Sequence, residues 1–151
     1  MKPHIAIGAA VIALVVSTGS AGAQAPKTIV ITANDNMKYS VTQILAKPGE
    51  VLKIKLTSSG AIPKEVMAHN FVLLRPDTNV DAFVMTASMA RDTGYIPASL
   101  KKQIIANTTL AGPGETVEVT FPAPKVAGKY QFLCSFAGHF AAGMTGFLIV
   151  K

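Results

Sequence analysis

Hydrophobic and polar residues alternate along most of this chain, a pattern typical of half-buried β-strands. The most regular segments, rich in β-branched and aromatic residues, are 28–32, 51–56, 116–121 and 129–133. Further candidate strands are 69–74, 103–108 and 144–150, with 39–44 as a weaker one. Turn-forming Pro and Gly residues separate them, at 47–50, 112–115 and 126–129. Seven or eight short strands of this kind predict an all-β protein, an antiparallel sandwich or barrel.

Residues 78–91 have the periodicity of a helix instead. Their apolar residues recur at positions i, i+3, i+4 and i+7, namely Val80, Phe83, Val84 and Ala87. Thr78 is the predicted N-cap, and Gly94 is the predicted stop. We therefore expect a short helical flap laid over the edge of the sandwich. Met85 and Met89 are interpreted as packing or surface methionines of this flap, with copper binding as the less favoured alternative.

The N-terminus has the pattern of an export signal. A 12-residue apolar run, residues 5–16, is followed by small residues that end in an A-x-A pattern at 21–23. The run is shorter than the roughly 20 apolar residues that a membrane-spanning helix needs. We predict a cleaved signal peptide at 1–23, a single domain at 24–151 and a periplasmic or otherwise exported protein that is not stably inserted in a membrane.

Composition and charge narrow the class further. Half of the residues are hydrophobic, enough for one globular core. Without Lys2 the chain has 13 basic and 8 acidic residues, a net charge of +5 (13 − 8). No basic block is longer than Lys101 and Lys102, whereas nucleic-acid binding usually requires a basic cluster. We expect no nucleic-acid partner, a monomer, and a mild attraction to acidic partners.

The only cysteine, Cys134, lies in a segment that suggests a metal site. Small exported domains normally use cysteines in pairs, so a single thiol indicates a special role. His139 and Met144 follow Cys134 at steps of five residues in CSFAGHFAAGM, between two predicted strands. His69 begins another strand and, after loss of His4 with the leader, is the other remaining histidine. A loop of this length can place its three side chains around one point, where His69 can join them.

Two imidazoles, a thiolate and a thioether form the ligand pattern of blue-copper electron-transfer sites. The soft sulfur ligands suit Cu(I), and imidazole suits both oxidation states. Zinc is the first alternative, although its structural sites usually have more than one thiolate and thioether binds it poorly. A cysteine nucleophile with a histidine base and Asn70 as the orienting group is the second. A buried, purely structural cysteine is the third. The joint pattern favours copper.

The segments VMAHNFVLL (66–74) and CSFAGHFAAGM (134–144) closely resemble the copper-binding segments of azurin and auracyanin, in the cupredoxin family. The resemblance extends over the whole predicted domain. It implies an eight-stranded Greek-key β-sandwich with one type 1 copper. It also implies a set of ligands, with three equatorial residues and one weak axial residue: His69, Cys134, His139 and, axially, Met144.

The resemblance also implies the surroundings of the copper. Ala68 would offer a distant backbone carbonyl, Asn70 would tie the two ligand loops together, and Phe136 would direct its N–H at the sulfur. The interval from His139 to Met144 is one residue longer than in azurin and matches auracyanin. Ala137 replaces a proline that is common at its position.

The function implied is that of a diffusible one-electron carrier rather than an enzyme. Redox partner proteins would dock on an apolar rim around His139, whose members are Ile62, Met67, Phe140, Ala141 and Ala142. A copper-delivery or storage protein is the alternative, and a cupredoxin-like module that has lost its metal is a third possibility. Delivery proteins tend to have exposed, exchangeable Met and His clusters, whereas this chain has one closed set.

Overall fold

The strands and the helix follow the alternation of the sequence closely. The computed structural model describes residues 25–151, so the predicted signal peptide lies outside the described residues. The strands of this part of the chain are β1 (Lys27–Asn34), β2 (Lys38–Tyr39), β3 (Gln43–Ala46), β4 (Val51–Ser58), β5 (Val72–Leu74), β6 (Ile104–Asn107), β7 (Thr116–Pro122), β8 (Gly128–Leu133) and β9 (Thr145–Val150). One α-helix, α1, covers Val80–Ser88, and 3₁₀ turns cover Arg91–Thr93 and Ala98–Gln103.

These strands form two sheets around one core. The first sheet has the order β2-β1-β4-β7 and the second the order β3-β9-β8-β5-β6. In β4 the residues Leu52, Ile54 and Leu56 are fully buried, while Lys53 between them faces solvent and pairs with Glu118 of β7. Both sheets contribute to the core, which confirms the predicted all-β sandwich. None of the helices between residues 25 and 151 is long and apolar enough to cross a membrane.

The sheets are mixed, which corrects the expectation of a purely antiparallel sandwich. β1 pairs with β4 in parallel, and β3 pairs with β9 in parallel. The predicted strand 39–44 is in fact two elements, because the chain leaves the first sheet after β2 and joins the second at β3. Because of this break, residues 25–151 contain nine strands, one more than the expected eight. Alternation reports which face of a strand is buried, but it does not report the strand's partner or direction.

The predicted flap is present as α1, with one correction at its start. The N-cap is Asn79 rather than Thr78, because the Asn79 side-chain oxygen accepts the Ala82 N–H at 3.0 Å. Phe83 and Ala87 are buried against a second, smaller cluster that includes Leu133 at the end of β8. Met85 and Met89, by contrast, are 71% and 85% exposed, so both are surface residues.

The predicted strand at 69–74 is shorter than expected. Only Val72–Leu74 forms a ladder, while His69 makes an isolated bridge with Ala111. The two backbone bonds of this bridge are 3.0 Å, from His69 N–H, and 2.8 Å, from Ala111 N–H. The bridge leaves His69 outside the regular sheet but fixes its backbone near the ends of β5 and β8.

Candidate metal centre

Cys134 is the first residue after β8, and the loop that follows it returns to β9. Three backbone hydrogen bonds close this loop on itself. Cys134 N–H donates to the Met144 carbonyl at 3.1 Å, Met144 N–H to the His139 carbonyl at 3.0 Å, and His139 N–H to the Phe136 carbonyl at 3.1 Å. Gly143 has φ +89°, a left-handed conformation that glycine adopts without strain. The loop therefore holds His139 and Met144 in fixed positions relative to Cys134.

The structure brings His69, Cys134 and His139 together at one end of the sandwich. One ligand atom from each lies within 4.8 Å of the others. The Cys134 Sγ is 3.4 Å from the His139 Nδ1, and the two histidine rings have centroids 4.9 Å apart. The three residues are 0%, 0% and 2% exposed, respectively. Of the three side chains, two come from the closed loop and one from the bridge to Ala111.

His69 is the clearest sign that this cluster holds an additional group. Both of its ring nitrogens are buried, and neither has a hydrogen-bond partner among the described residues. A buried polar atom without a partner costs free energy, so such atoms in native proteins require an explanation. A metal ion that accepts a nitrogen lone pair supplies one. Two imidazoles and a thiol also fit copper by the chemistry of the donors.

Burial keeps the three side chains uncharged when no metal is bound. It raises the pKa of Cys134 to about 11. Burial, together with the neighbouring His69, lowers the pKa of His139 to about 4. The pKa of His69 is also lowered by burial, with Asp35 partly opposing the shift. At neutral pH the histidines are therefore ready to bind a metal, whereas Cys134 must lose a proton when it does so.

Two backbone donors face the Cys134 sulfur. The N–H groups of Asn70 and Phe136 hydrogen-bond to it and lower its pKa, in part offsetting the effect of burial. The carbonyl of Ala68 lies 4.0 Å from the same sulfur. The two N–H groups would stabilise a thiolate once a metal has replaced the proton, whereas the Ala68 carbonyl can only accept a hydrogen bond from the protonated thiol.

Asn70 joins the two segments that carry the candidate ligands. Its side-chain oxygen accepts the Ser135 N–H at 2.9 Å, and its side-chain NH₂ donates to the Ser135 hydroxyl at 2.9 Å. The Ser135 hydroxyl in turn donates to the Tyr95 carbonyl at 2.8 Å. Since Asn70 follows His69 and Ser135 follows Cys134, this network fixes the distance between two candidate ligands.

Met144 lies in the core, whereas the predicted rim residues lie at least partly at the surface. Met144 is fully buried in the same core cluster as Cys134, Ala68 and Phe136. The rim residues all retain some exposure: Ile62 and Ala141 are exposed, and Met67, Phe140 and Ala142 are half-buried. Phe140 also packs against the small cluster under α1.

Sequence reasoning missed three residues of this site. Ser135 follows Cys134 directly, and a small polar residue next to a candidate ligand is a signal that could have found it. Tyr39 and Lys38 contact the ligand segments from a distant part of the chain. No spacing in the sequence indicates either contact.

Comparison with known proteins agrees with this fold. Residues 26–151 match the family described as copper binding proteins, plastocyanin/azurin family. An azurin from Pseudomonas fluorescens biotype C is 37% identical over 129 residues, which cover 82% of this chain and 97% of that protein. Outer membrane protein H.8 of Neisseria meningitidis serogroup B is 32% identical over 111 residues, covering 72% of this chain and 60% of that protein. A crystal structure of reduced auracyanin from Roseiflexus castenholzii has a TM-score of 0.73 at 29% identity, covering 85% of this chain and 99% of its own.

A two-sheet sandwich with a buried cluster of two histidines and one cysteine at its end defines a small β-protein with a metal centre. The matches to known proteins identify the family of this metal-binding β-protein. The chain belongs to the plastocyanin/azurin family of copper-binding proteins, the cupredoxins, as its sequence predicted. Its cofactor is copper.

Proposed function

We propose that this chain is an exported, diffusible one-electron carrier with one type 1 copper. Cupredoxins of the azurin and auracyanin type are typically electron carriers that act with redox partner proteins and are generally not enzymes, which supports the proposal. His69, Cys134 and His139 would be the equatorial ligands of this copper and Met144 its weak axial ligand. The observation that carries the proposal is the buried cluster of three donors, in which both ring nitrogens of His69 have no protein partner among the described residues.

Bound copper would supply the Cu(II)/Cu(I) couple, and the protein would supply rigidity and a dry environment. The closed loop and the Asn70–Ser135 network hold the ligand side chains in one arrangement. A site that does not have to rearrange keeps the reorganisation energy of electron transfer small. The N–H groups that face the sulfur favour the electron-rich, reduced state of the site.

His139 would be the exit for the electron. It is only 2% exposed, and the partly exposed rim residues Phe140 to Ala142 follow it directly. A partner that docks on the rim would come close to the His139 ring without contacting the other ligands. We expect a small contact and fast release, as in other redox encounters.

The closed site favours a carrier over the alternative, a copper-delivery or storage protein. Cargo copper must enter and leave, which requires ligands that solvent and partners can reach. Here the three clustered donors are almost completely buried. Export is supported by the azurin and H.8 relatives and by the predicted signal peptide, whose cleavage after residue 23 is part of this proposal.

The proposal is tested by adding Cu(II) to the purified metal-free protein. An intense blue thiolate-to-copper band should develop, bleach with a mild reductant and return on oxidation. Cys134→Ser is the matched control. It should form no blue copper complex, but it should retain the folded sandwich, because the core does not depend on the metal. A colourless complex, or rapid loss of copper to a weak chelator, would contradict the carrier function.

A further inference from the structure

Strand β2 consists of two residues, Lys38 and Tyr39, and makes contact with both ligand segments. It pairs with the end of β1, where Ala33 lies opposite Tyr39 and Asn34 opposite Lys38. Since side chains of a strand alternate, Tyr39 points into the core and is 7% exposed, while Lys38 points to solvent. Each side chain donates one hydrogen bond to a backbone carbonyl, and the two carbonyls belong to different ligand segments.

The Tyr39 hydroxyl donates to the carbonyl of Asn70, a fully buried residue. This bond restrains the peptide group that follows Asn70. The N–H of Asn70 itself, next to that peptide group, faces the Cys134 sulfur. The single hydroxyl proton is used in this bond, so Tyr39 acts on the sulfur through Asn70 and not directly. The Tyr39 ring is held against Phe132 of β8, with centroids 5.8 Å apart.

Lys38 makes the equivalent contact on the other ligand segment. Its Nζ donates to the Ala142 carbonyl at 2.5 Å, across 104 positions of sequence. Ala142 belongs to the turn that precedes Met144, where its N–H donates to the Gly138 carbonyl at 3.1 Å. Lys38 also lies close to Gly143, where an added Cβ would be 3.1 Å from the Nζ. A positive charge is thus held against the loop that carries His139 and Met144.

We propose that β2 is a brace for the copper site: Tyr39 positions the segment that carries His69, and Lys38 positions the loop that carries His139 and Met144. Neither residue supplies a ligand, and both raise the reduction potential. The inference rests on the proposed copper ligation. The reduced site carries one positive charge less than the oxidised site, so two effects favour the reduced state: the Asn70 N–H that Tyr39 helps to hold at the sulfur, and the nearby cation of Lys38.

The first test is Tyr39→Phe, which keeps the ring and removes only the hydroxyl. Tyr130→Phe is the matched control, because the Tyr130 hydroxyl also donates to a backbone carbonyl, that of Val126 at 2.8 Å, and Tyr130 is 5% exposed. In copper-loaded protein, Tyr39→Phe should lower the reduction potential and shift the blue band, while Tyr130→Phe should change neither. Equal potentials for Tyr39→Phe and the wild type, or equal shifts in both variants, would overturn the brace.

A second readout needs no copper. In the metal-free protein, Tyr39→Phe should move the amide NMR signals of Asn70 and Ser135 and speed their hydrogen exchange, and Tyr130→Phe should leave them unchanged. Unchanged signals in Tyr39→Phe would overturn the positioning role of Tyr39. If the wild type formed no blue complex, the proposed function would fail, but the NMR measurement would still test whether Tyr39 positions the segment that carries His69.

Lys38 is tested by Lys38→Met, which removes the charge and the donor, and Lys38→Arg, which keeps both. Lys38→Met should lower the potential, and Lys38→Arg should restore most of it. High salt distinguishes the electrostatic effect of Lys38 from its positioning of the loop, because about 1 M salt reduces the screening length to about 3 Å. The shift of the blue thiolate-to-copper band in Lys38→Met should persist at that salt concentration. A change that disappears completely with salt would show Lys38 to be only a surface charge.

Discussion

Replacing Asn70 with alanine should destabilise the metal-free protein, because it removes the network between the two ligand segments. The Asn70 side chain makes two good hydrogen bonds, both 2.9 Å long, to the N–H and the hydroxyl of Ser135. Asn70 and Ser135 are both fully buried, so water cannot replace the lost partner without entering the core. The Ser135 hydroxyl keeps its bond to the Tyr95 carbonyl, but the Ser135 N–H loses the Asn70 oxygen.

The size of the effect follows from these contacts. A typical hydrogen bond contributes about 0.5–1.5 kcal/mol net, and a buried donor left without a partner costs about 1–3 kcal/mol. We therefore expect Asn70→Ala to lower the free energy of unfolding by about 2–4 kcal/mol. Ser135→Ala keeps the backbone N–H and should lose less, about 1–2 kcal/mol. Because the two residues share bonds, the double variant should lose less than the sum of the single losses.

Urea denaturation of the four metal-free proteins at neutral pH measures these quantities. The slope of unfolding free energy against urea should be the same for all four, since the fold is unchanged. A loss below about 0.5 kcal/mol for Asn70→Ala, or effects that add without coupling, would refute the reasoning. The result does not depend on copper, so it tests the architecture of the site separately from its chemistry.

Three further predictions concern the axial ligand, the packing of β9 and pH. Met144→Leu should keep the blue colour and raise the potential in voltammetry, because leucine removes a weak donor from the oxidised site; an unchanged potential would argue against axial ligation. Gly146→Ala should cost about 2 kcal/mol or more in urea denaturation, since an added Cβ would lie 2.3 Å from Phe132 and 2.5 Å from the Thr42 carbonyl oxygen, and a near-neutral effect would contradict this packing. The free energy of unfolding of the metal-free protein should fall by up to about 1.4 kcal/mol per pH unit, because of His139, as the pH is lowered from about 6.5 to about 4. The pKa of this histidine is about 4 in the folded state, so the unfolded chain takes up a proton first as the pH falls. In urea denaturation, His139→Gln should flatten this part of the pH profile.

The candidate ligands were predictable because most of them are close together in the sequence. Cys134, His139 and Met144 occupy one short loop between two alternating segments, and a single cysteine in a predicted exported chain demands a reason. His69 could be added because it was the other histidine left after the leader. The brace was not predictable, because Lys38 is 104 positions away from its partner Ala142. Contacts of that kind depend on which strands become neighbours.

The fold was predictable in its class and less so in its topology. The alternation in β4 indicates one buried face and one solvent face, and both are found. It carries no sign that β1 lies parallel to β4 or that residues 39–44 divide between two sheets. Asn79 took the place of Thr78 as the N-cap because both residue types can cap, and only the local backbone decides between them.

The place of β9 has a consequence for the order of folding. β9 lies between β8 and β3, and its pairing of Phe147 with Gln43 spans 104 residues (147 − 43). Chains dominated by such distant pairings fold slowly, on the order of milliseconds to seconds. Until β9 is in place, the loop behind β8 has no fixed end and the Cys134 thiol remains open to oxidation and to cross-linking with other chains. We therefore expect a reductant present during refolding to increase the yield of protein that can still take up its metal.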